Sequence, residues 1–235
     1  MSQTPHTAID NIIKSRRSMR AFSLQEVPQA TVRALLETAS YAPSGTNTQS
    51  WNVYVVHGKK RAQIVDAVTQ AINAAAANPD TAALYKEAFP YYPKEWISPY
   101  IDRRRENGWS LYGLLDIKKG EKEKMHAQHL RNYCFFDAPV GLFFTVNKVM
   151  GEGAKMDIAM MMQNLMLAAK AQGLDTCVQA AWNAYHSIVM PLLGAPEDEM
   201  LIGAMALGYA DQNHIVNTLK PPREAVDNFT QWLWD

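Results

Sequence analysis

The sequence predicts an α+β fold, a sandwich-like arrangement in which a mixed central β-sheet is flanked by helices. Three short runs rich in β-branched and aromatic residues read as strands: WNVYVVH from Trp51, APVGLFFTV from Ala138 and EMLIGAMALGYAD from Glu199. Long stretches with a helical apolar period separate them, and helices outnumber strands. With 235 residues and no internal repeat, low-complexity block or long linker, the chain is expected to be one domain over residues 1–235.

Thr7 and Asp10 read as a capping box that opens a first helix through AIDNIIKSRR, with Ile9, Ile12 and Ile13 on one face. A second helix is expected from about Pro28 to Tyr41, with Pro28 near its first turn and Val32, Leu35, Leu36 and Ala39 as the buried stripe. It stops at Pro43; the loop PSGTNTQS leads into the first strand, and residues 59–77 return to helix. Residues of about 79–125 differ, with four prolines, many tyrosines and tryptophans, and the charged runs DRRREN and KKGEKEK. This composition suits an inserted helical and aromatic cover. HAQHLRNYCFF is read as helix continuing into the second strand. GAKMDIAMMMQNLMLAAKAQGL is a long helix, apolar nearly all round, ended by Gly173 at the C′ position. The third strand and the tail PPREAVDNFTQWLWD follow.

Composition excludes several classes of function. Lys plus Arg and Asp plus Glu balance at 23 each, so there is no cationic excess of the kind that releases phosphate counterions from nucleic acids. No apolar run approaches the roughly 20 residues of a membrane-spanning helix. MSQTPHTAIDN lacks a signal-peptide pattern, so a cytoplasmic setting is expected. Cys134 and Cys177 read as buried thiols that nothing requires to bridge.

The stretch KSRRSMRAF places Arg16, Arg17 and Arg20 close together, with Lys14 just upstream and no carboxylate downstream until Glu26. A helix C-terminus favours one or two cations by about 0.3 to 1 kcal/mol. Three guanidiniums and an ammonium need something negative: a distant carboxylate, or a bound phosphate that the guanidinium forks and the Ser18 hydroxyl would grip. The loop YAPSGTNTQSW is uncharged and dense in donors and acceptors through Ser44, Gly45, Thr46, Asn47 and Gln49. It is either an ordinary polar connection or a ligand-holding loop able to read a uracil-like ring edge.

Other residues carry weaker signals. His126 and His129 are three apart on an expected helix but lack neighbouring Cys or carboxylate ligands, so a solvated face is expected and no metal site is assigned. The methionines at 156, 160, 161, 162 and 166 suit apolar packing. Tyr92, Trp96, Trp109 and Tyr112 are candidates for an aromatic-substrate pocket, or else pack beneath the insertion. Arg103 to Arg105 either attract an acidic substrate or form an exposed helix turn. GEGAKM lacks the third glycine of a dinucleotide fingerprint, and no GxSxG, Walker A or HExxH motif is present.

The pair RRSMR and APSGTNTQSW, in order and at this distance, resembles the FMN-dependent nitroreductase family. The resemblance continues through GLDTC, LGYA and the arginine of PPR, and RRRENGWSLYGLL with HLRNYCFFDAPVGLFF resembles its nitrobenzoate and nitrophenol reductase branch. Two departures are Ser50, where many relatives have proline, and CVQAAW, which lacks the acidic residue some relatives place beside the flavin. The resemblance implies a nitroreductase-like, domain-swapped homodimer that exchanges C-terminal tails and holds FMN at the subunit interface. It implies that Arg16 and Ser18 hold the FMN phosphate and ribityl chain, with Arg223 as a second phosphate ligand and Arg17 and Arg20 nearer the N1/O2 edge. Pro43, Ser44, Gly45 and Asn47, with Gln49 in the same loop, would reach the partner's flavin. Gln179, Ala180 and Ala181 would line the ring near N5. The implied activity is NAD(P)H-dependent, ping-pong hydride transfer through flavin N5 that reduces nitroaromatics to hydroxylamines, with no catalytic side chain required. Quinones, enones, free flavin or halogenated aromatics as acceptors, or plain binding of a flavin or another phosphate ligand, stay open. The residues also point to a dimer: the apolar helix and the terminal Trp232 and Trp234 need a partner surface.

Overall fold

Four strands form the sheet: β1 (Trp51–His57), β2 (Val140–Asn147), β3 (Asp175–Gln179) and β4 (Glu199–Gly208), in the order β1-β2-β4-β3. They belong to a computed structural model that describes residues 5–234. The α+β class holds, but the mixed sheet is corrected to an antiparallel one, since every strand pair runs antiparallel and the parallel element is a single bridge, Ser18 with Thr176. Hydrophobic period marks a strand but not its direction. The central β2 is buried on both faces from Val140 to Val146, which explains its unbroken apolar run.

Helices cover both faces. On one side α2 (Gln29–Ala39) and α7 (Gly153–Ala171) pack together, with Leu35, Ile158, Met161 and Leu165 sealed against Leu142 and Phe144. On the other, α3 (Gly58–Ala77) and α8 (His186–Leu193) enclose Ile64, Val68, Phe135, Phe143 and Trp182. Gly173, at φ 75°, ends α7 as expected: its N–H donates to Lys170 O and the Leu174 N–H to Ala169 O, so two terminal carbonyls are satisfied.

Several boundaries differ from the sequence expectation. Helix α1 (Pro5–Ser15) begins before Thr7, so Thr7 lies inside it and not at a cap, and Arg16 and Arg17 lie beyond its end. Its expected apolar face is only partly covered among the described residues: Ile12 is half-buried, whereas Ile9 and Ile13 are 59% and 47% exposed. The segment 79–125 carries α4 (Pro79–Ala82), α5 (Tyr100–Leu114) and the start of α6 (Lys122–Leu130). HAQHLRNYCFF does not continue as one helix. After Leu130 the chain tightens into turns, with Phe135, Phe136 and Asp137 at φ 55°, 53° and 70°. Such backbone costs about 1 to 3 kcal/mol per residue and persists where surroundings enforce it. Here the enforcement is aromatic: Phe135 stacks on Trp182 at 4.7 Å and meets Phe143 edge-on at 5.6 Å.

Gly141 belongs to the same packing, because a methyl group on it would lie 2.4 Å from Phe135 Cζ. Gly141→Ala is therefore expected to destabilise the fold by about 1 to 3 kcal/mol, lowering the melting temperature by roughly 2 to 12 °C for a chain of this size. Thermal unfolding followed by circular dichroism measures this, and an unchanged melting point would show that the ring moves aside at no cost.

Candidate functional site

After α1 the chain turns alongside β3. Ser18 bridges Thr176, the Met19 N–H donates to Thr176 O at 3.1 Å, and Phe22 bridges Ala210. This stitching sets Arg16, Arg17, Ser18 and Arg20 beside the outer edge of the sheet. Arg16 is half-buried, and burial first, then the charge of Arg223, lower its pKa from the ordinary guanidinium value. The structure thus brings together Arg16 and Arg223, which are far apart in sequence. Arg223 donates to Pro221 O at 3.1 Å and Pro222 O at 2.9 Å, Arg17 to Asn217 O at 3.2 Å, and Arg20 to Ser18 O at 3.2 Å.

Asn217 is a buried anchor of the arginine segment that sequence reasoning missed. It is buried, its Oδ1 accepts from the Arg20 N–H at 2.8 Å, and its Nδ2 donates to Ala21 O and Asp211 O. A lone Asn in HIVNTLK gives no sign of this. The amide clamps the arginine segment to the last turns of the chain.

Lys14 leaves the cluster, since it pairs with Asp10 at 2.5 Å one helical turn back. Spacing hid that partner because Asp10 reads as part of a cap. Among the described residues, no carboxylate lies within 4.0 Å of Arg16, Arg17, Arg20 or Arg223. Of the two counterions open from sequence, a distant carboxylate is therefore not supplied by the described residues.

On β3 itself, Thr176 Oγ1 and Gln179 Oε1 are buried without a hydrogen-bond partner among the described residues. Gln179 Nε2 donates to Asn132 O, and Ala181 O accepts from the Tyr133 hydroxyl at 3.2 Å. An unpaired buried polar group costs about 1 to 3 kcal/mol; three apart on a strand, the two side chains point to opposite faces of the sheet, so a ligand on one face would relieve the cost at only one of them. Cys177, between them, is buried; burial pushes its thiol up to about 11 despite Arg20, Ser18 and Arg16. It stays protonated and inert. Cys134 is only half-buried, which corrects its expected burial, and neither cysteine is bridged.

The loop between α2 and β1 sits elsewhere. Ser44 Oγ accepts from the Gln49 N–H at 3.0 Å, Gln49 Nε2 donates to Asn47 O at 3.2 Å, and the Gly45 N–H donates to Asp157 Oδ2 at 3.2 Å. Pro43, Gly45, Asn47 and Gln49 are exposed, and Thr46, Asn47 and Gln49 hold φ of 49°, 59° and 48°. Asp157 is near the start of α7, whereas Lys170, near its end, pairs with Asp175 at the foot of β3. At 1.5 Å per residue the helix separates the two points by about 20 Å. The arginines and the loop of one chain are thus far apart, and no hydrogen bond joins them among the described residues.

The insertion lies beside the arginines. Helix α5 packs on residues 215–218, and Arg103 pairs with Glu224 at 3.0 Å, next to Arg223. Tyr92 and Trp96 are neighbours at 5.4 Å, with the Arg104 guanidinium 4.9 Å over the Trp96 ring. Trp109 is 71% exposed and Tyr112 half-buried; neither makes a ring contact with that pair among the described residues, so the four substrate candidates do not form one cluster. His126 faces Asn73, and exposed His129 meets the Tyr133 ring edge-on. A groove of about 1090 Å³ between α2 and β1, lined by Val27, Val32, Leu36, Val55 and His57, contains none of the expected site residues.

The fold is thus a helix-covered antiparallel sheet of the α+β class, with Arg16, Arg17 and Arg20 beside its β3 edge. The chain belongs to the nitroreductase family, whose model matches residues 13–209. It is 35% identical over 231 residues to a 4-nitrobenzoate reductase of Nocardioides sp. (strain LMS-CY), covering 97% of this chain and 91% of that protein. Two solved structures are similar over 97% of this chain and 99% of theirs. One is an FMN and NADPH-dependent nitroreductase, NfnB, from Sphigopyxis sp. strain HMH, at 32% identity and TM-score 0.91. The other is an FMN-dependent nitroreductase, NfnB, from Mycobacterium smegmatis in complex with NADPH, at 30% identity and TM-score 0.88.

Proposed function

We propose that this chain is an FMN-dependent NAD(P)H oxidoreductase that reduces nitroaromatic compounds. The observation that carries the reading is the guanidinium cluster with no carboxylate partner among the described residues, set against an edge strand on which Gln179 Oε1 is unpartnered. This donor set fits a flavin mononucleotide: forks for a phosphate, and neutral polar groups for a ribityl chain and a ring. Arg16, Ser18 and Arg223 would hold the phosphate end. Arg17 and Arg20 spend one donor each on backbone carbonyls, and the rest of their forks would serve the ribityl and N1/O2 side. Gln179, Ala180 and Ala181 would line the ring. Bound FMN supplies two-electron hydride chemistry at N5, which no side chain here can provide. The side chains bind, orient and shield, and protons come from solvent.

The separation of loop and arginines within one chain suits a site shared between two copies, in which Pro43, Ser44, Gly45, Asn47 and Gln49 complete the partner's flavin pocket. Exposed Ile9, Ile13, Met156 and Met160 give α1 and α7 an apolar surface for that pairing. The exposed tail would lie on the partner, and the groove beside edge strand β1 offers it a seat. The segment 79–125 would cover the site as an insertion in a single domain, with Tyr92 and Trp96 stacking on the acceptor. Among the described residues no helix is long and apolar enough to cross a membrane, and two free cysteines suit the reducing cytosol.

Anaerobic NADPH or NADH is expected to bleach the flavin bands within minutes, and 4-nitrobenzoate to restore them, with two reduced flavins consumed, through the nitroso compound, per hydroxylamine formed. Protein that stays yellow with both nicotinamides would be a flavin binder. Rapid turnover of quinones or enones with none of any nitroarene would move the substrate class.

A further inference from the structure

The structure assigns to Asp157 the role of a positioning residue for the flavin-facing loop of residues 43–49. The inference rests on the proposal that this loop touches the cofactor. Three of its residues other than glycine hold left-handed φ, at Thr46, Asn47 and Gln49, so the loop's shape has to be imposed. Its internal bonds, Asn47 N–H to Ser44 O, Thr48 N–H to Gly45 O and Gln49 N–H to Ser44 Oγ, close the turn on itself but anchor it to nothing. Among the described residues, the hydrogen bond that ties residues 43–49 to the rest of the chain beyond the adjoining helix is Gly45 N–H to Asp157 Oδ2.

Asp157 is itself placed to hold that point still. It is 8% exposed on α7, one residue before fully buried Ile158, and no cation lies within 4.0 Å among the described residues. A buried carboxylate without an ion partner is a costly way to build a helix face. What it provides here is a charge-assisted acceptor for one backbone N–H, stronger than a neutral acceptor would be. Ser44 and Asn47 flank Gly45, so a shift at that N–H moves both expected flavin contacts together.

The test uses the holoprotein with three readouts: FMN affinity by flavin fluorescence, position and fine structure of the flavin bands at saturating FMN, and thermal melting without FMN. Asp157→Ala is expected to weaken FMN about 10-fold, as the loss of one charge-assisted hydrogen bond implies, and to alter the bound flavin's bands. Asp157→Asn, which keeps an acceptor oxygen, is expected to restore the wild-type bands and most of the affinity. Ser44→Ala and Asn47→Ala test the loop directly. If they weaken FMN while Asp157→Ala binds as wild type does, Asp157 does not position the loop. If Asn behaves as badly as Ala, with both melting early and both leaving the saturated spectrum unchanged, the role is structural and the inference fails. If Ser44, Asn47 and Asp157 variants all bind FMN normally while Arg16→Ala does not, the loop does not touch flavin, and the underlying reading is what falls.

Discussion

Arg16→Ala is expected to purify nearly colourless. One charge-assisted bond to a phosphate contributes about 1.5 to 3 kcal/mol, so the loss corresponds to roughly 10- to 150-fold weaker FMN binding. Arg16→Lys should fall between, since it keeps the charge and loses the fork. A second readout separates this from misfolding. Arg16 and Arg223 repel each other, and desolvation adds to the cost of keeping Arg16 charged. Removing one of them relieves the apoprotein, so its melting temperature should hold steady or rise while stabilisation by added FMN disappears. Isothermal calorimetry with FMN and melting curves with and without it measure both effects. Wild-type affinity in Arg16→Ala would overturn the phosphate assignment.

If the proposed homodimer forms through the tail, deleting the chain after Asn228 is expected to disrupt it. Phe229, Trp232, Leu233 and Trp234 are 69%, 62%, 94% and 85% exposed on a single chain. Burying such a side chain contributes about 1.5 to 3 kcal/mol, so losing all four should shift dimer dissociation by several powers of ten. Sedimentation velocity at micromolar concentration should show monomer for the truncated protein. Flavin should leave with the partner, since the loop that completes the pocket is then absent. An unchanged dimer would remove the tail from the interface, and a yellow monomer would place the whole flavin site within one chain.

Much of this was legible in the sequence, for physical reasons. Helices α2 and α7 show because their apolar spacing is long, and Gly173 ends α7 where a left-handed cap is needed. The arginine cluster is visible because its members are local. What could not be read from the residues alone was whether a carboxylate folds onto it, since that does not depend on neighbours in sequence; that Arg223 joins Arg16 was expected only through the family resemblance. Strand β3 escaped because five residues opening with Asp and Thr look like a turn, and α8 lies in a segment without amphipathic contrast. The left-handed turns at Phe135 and Phe136 break a helical pattern for the sake of stacking against Trp182, which is a tertiary choice.

Because Lys14 pairs with Asp10, the charged part of the proposed phosphate grip would consist of guanidiniums alone. Such groups keep their proton at any acidity a cell reaches. Any change in cofactor hold between mildly acidic and neutral conditions must then originate in the ligand's own phosphate, whose second proton leaves near pH 6, and the protein offers it an invariant counter-charge.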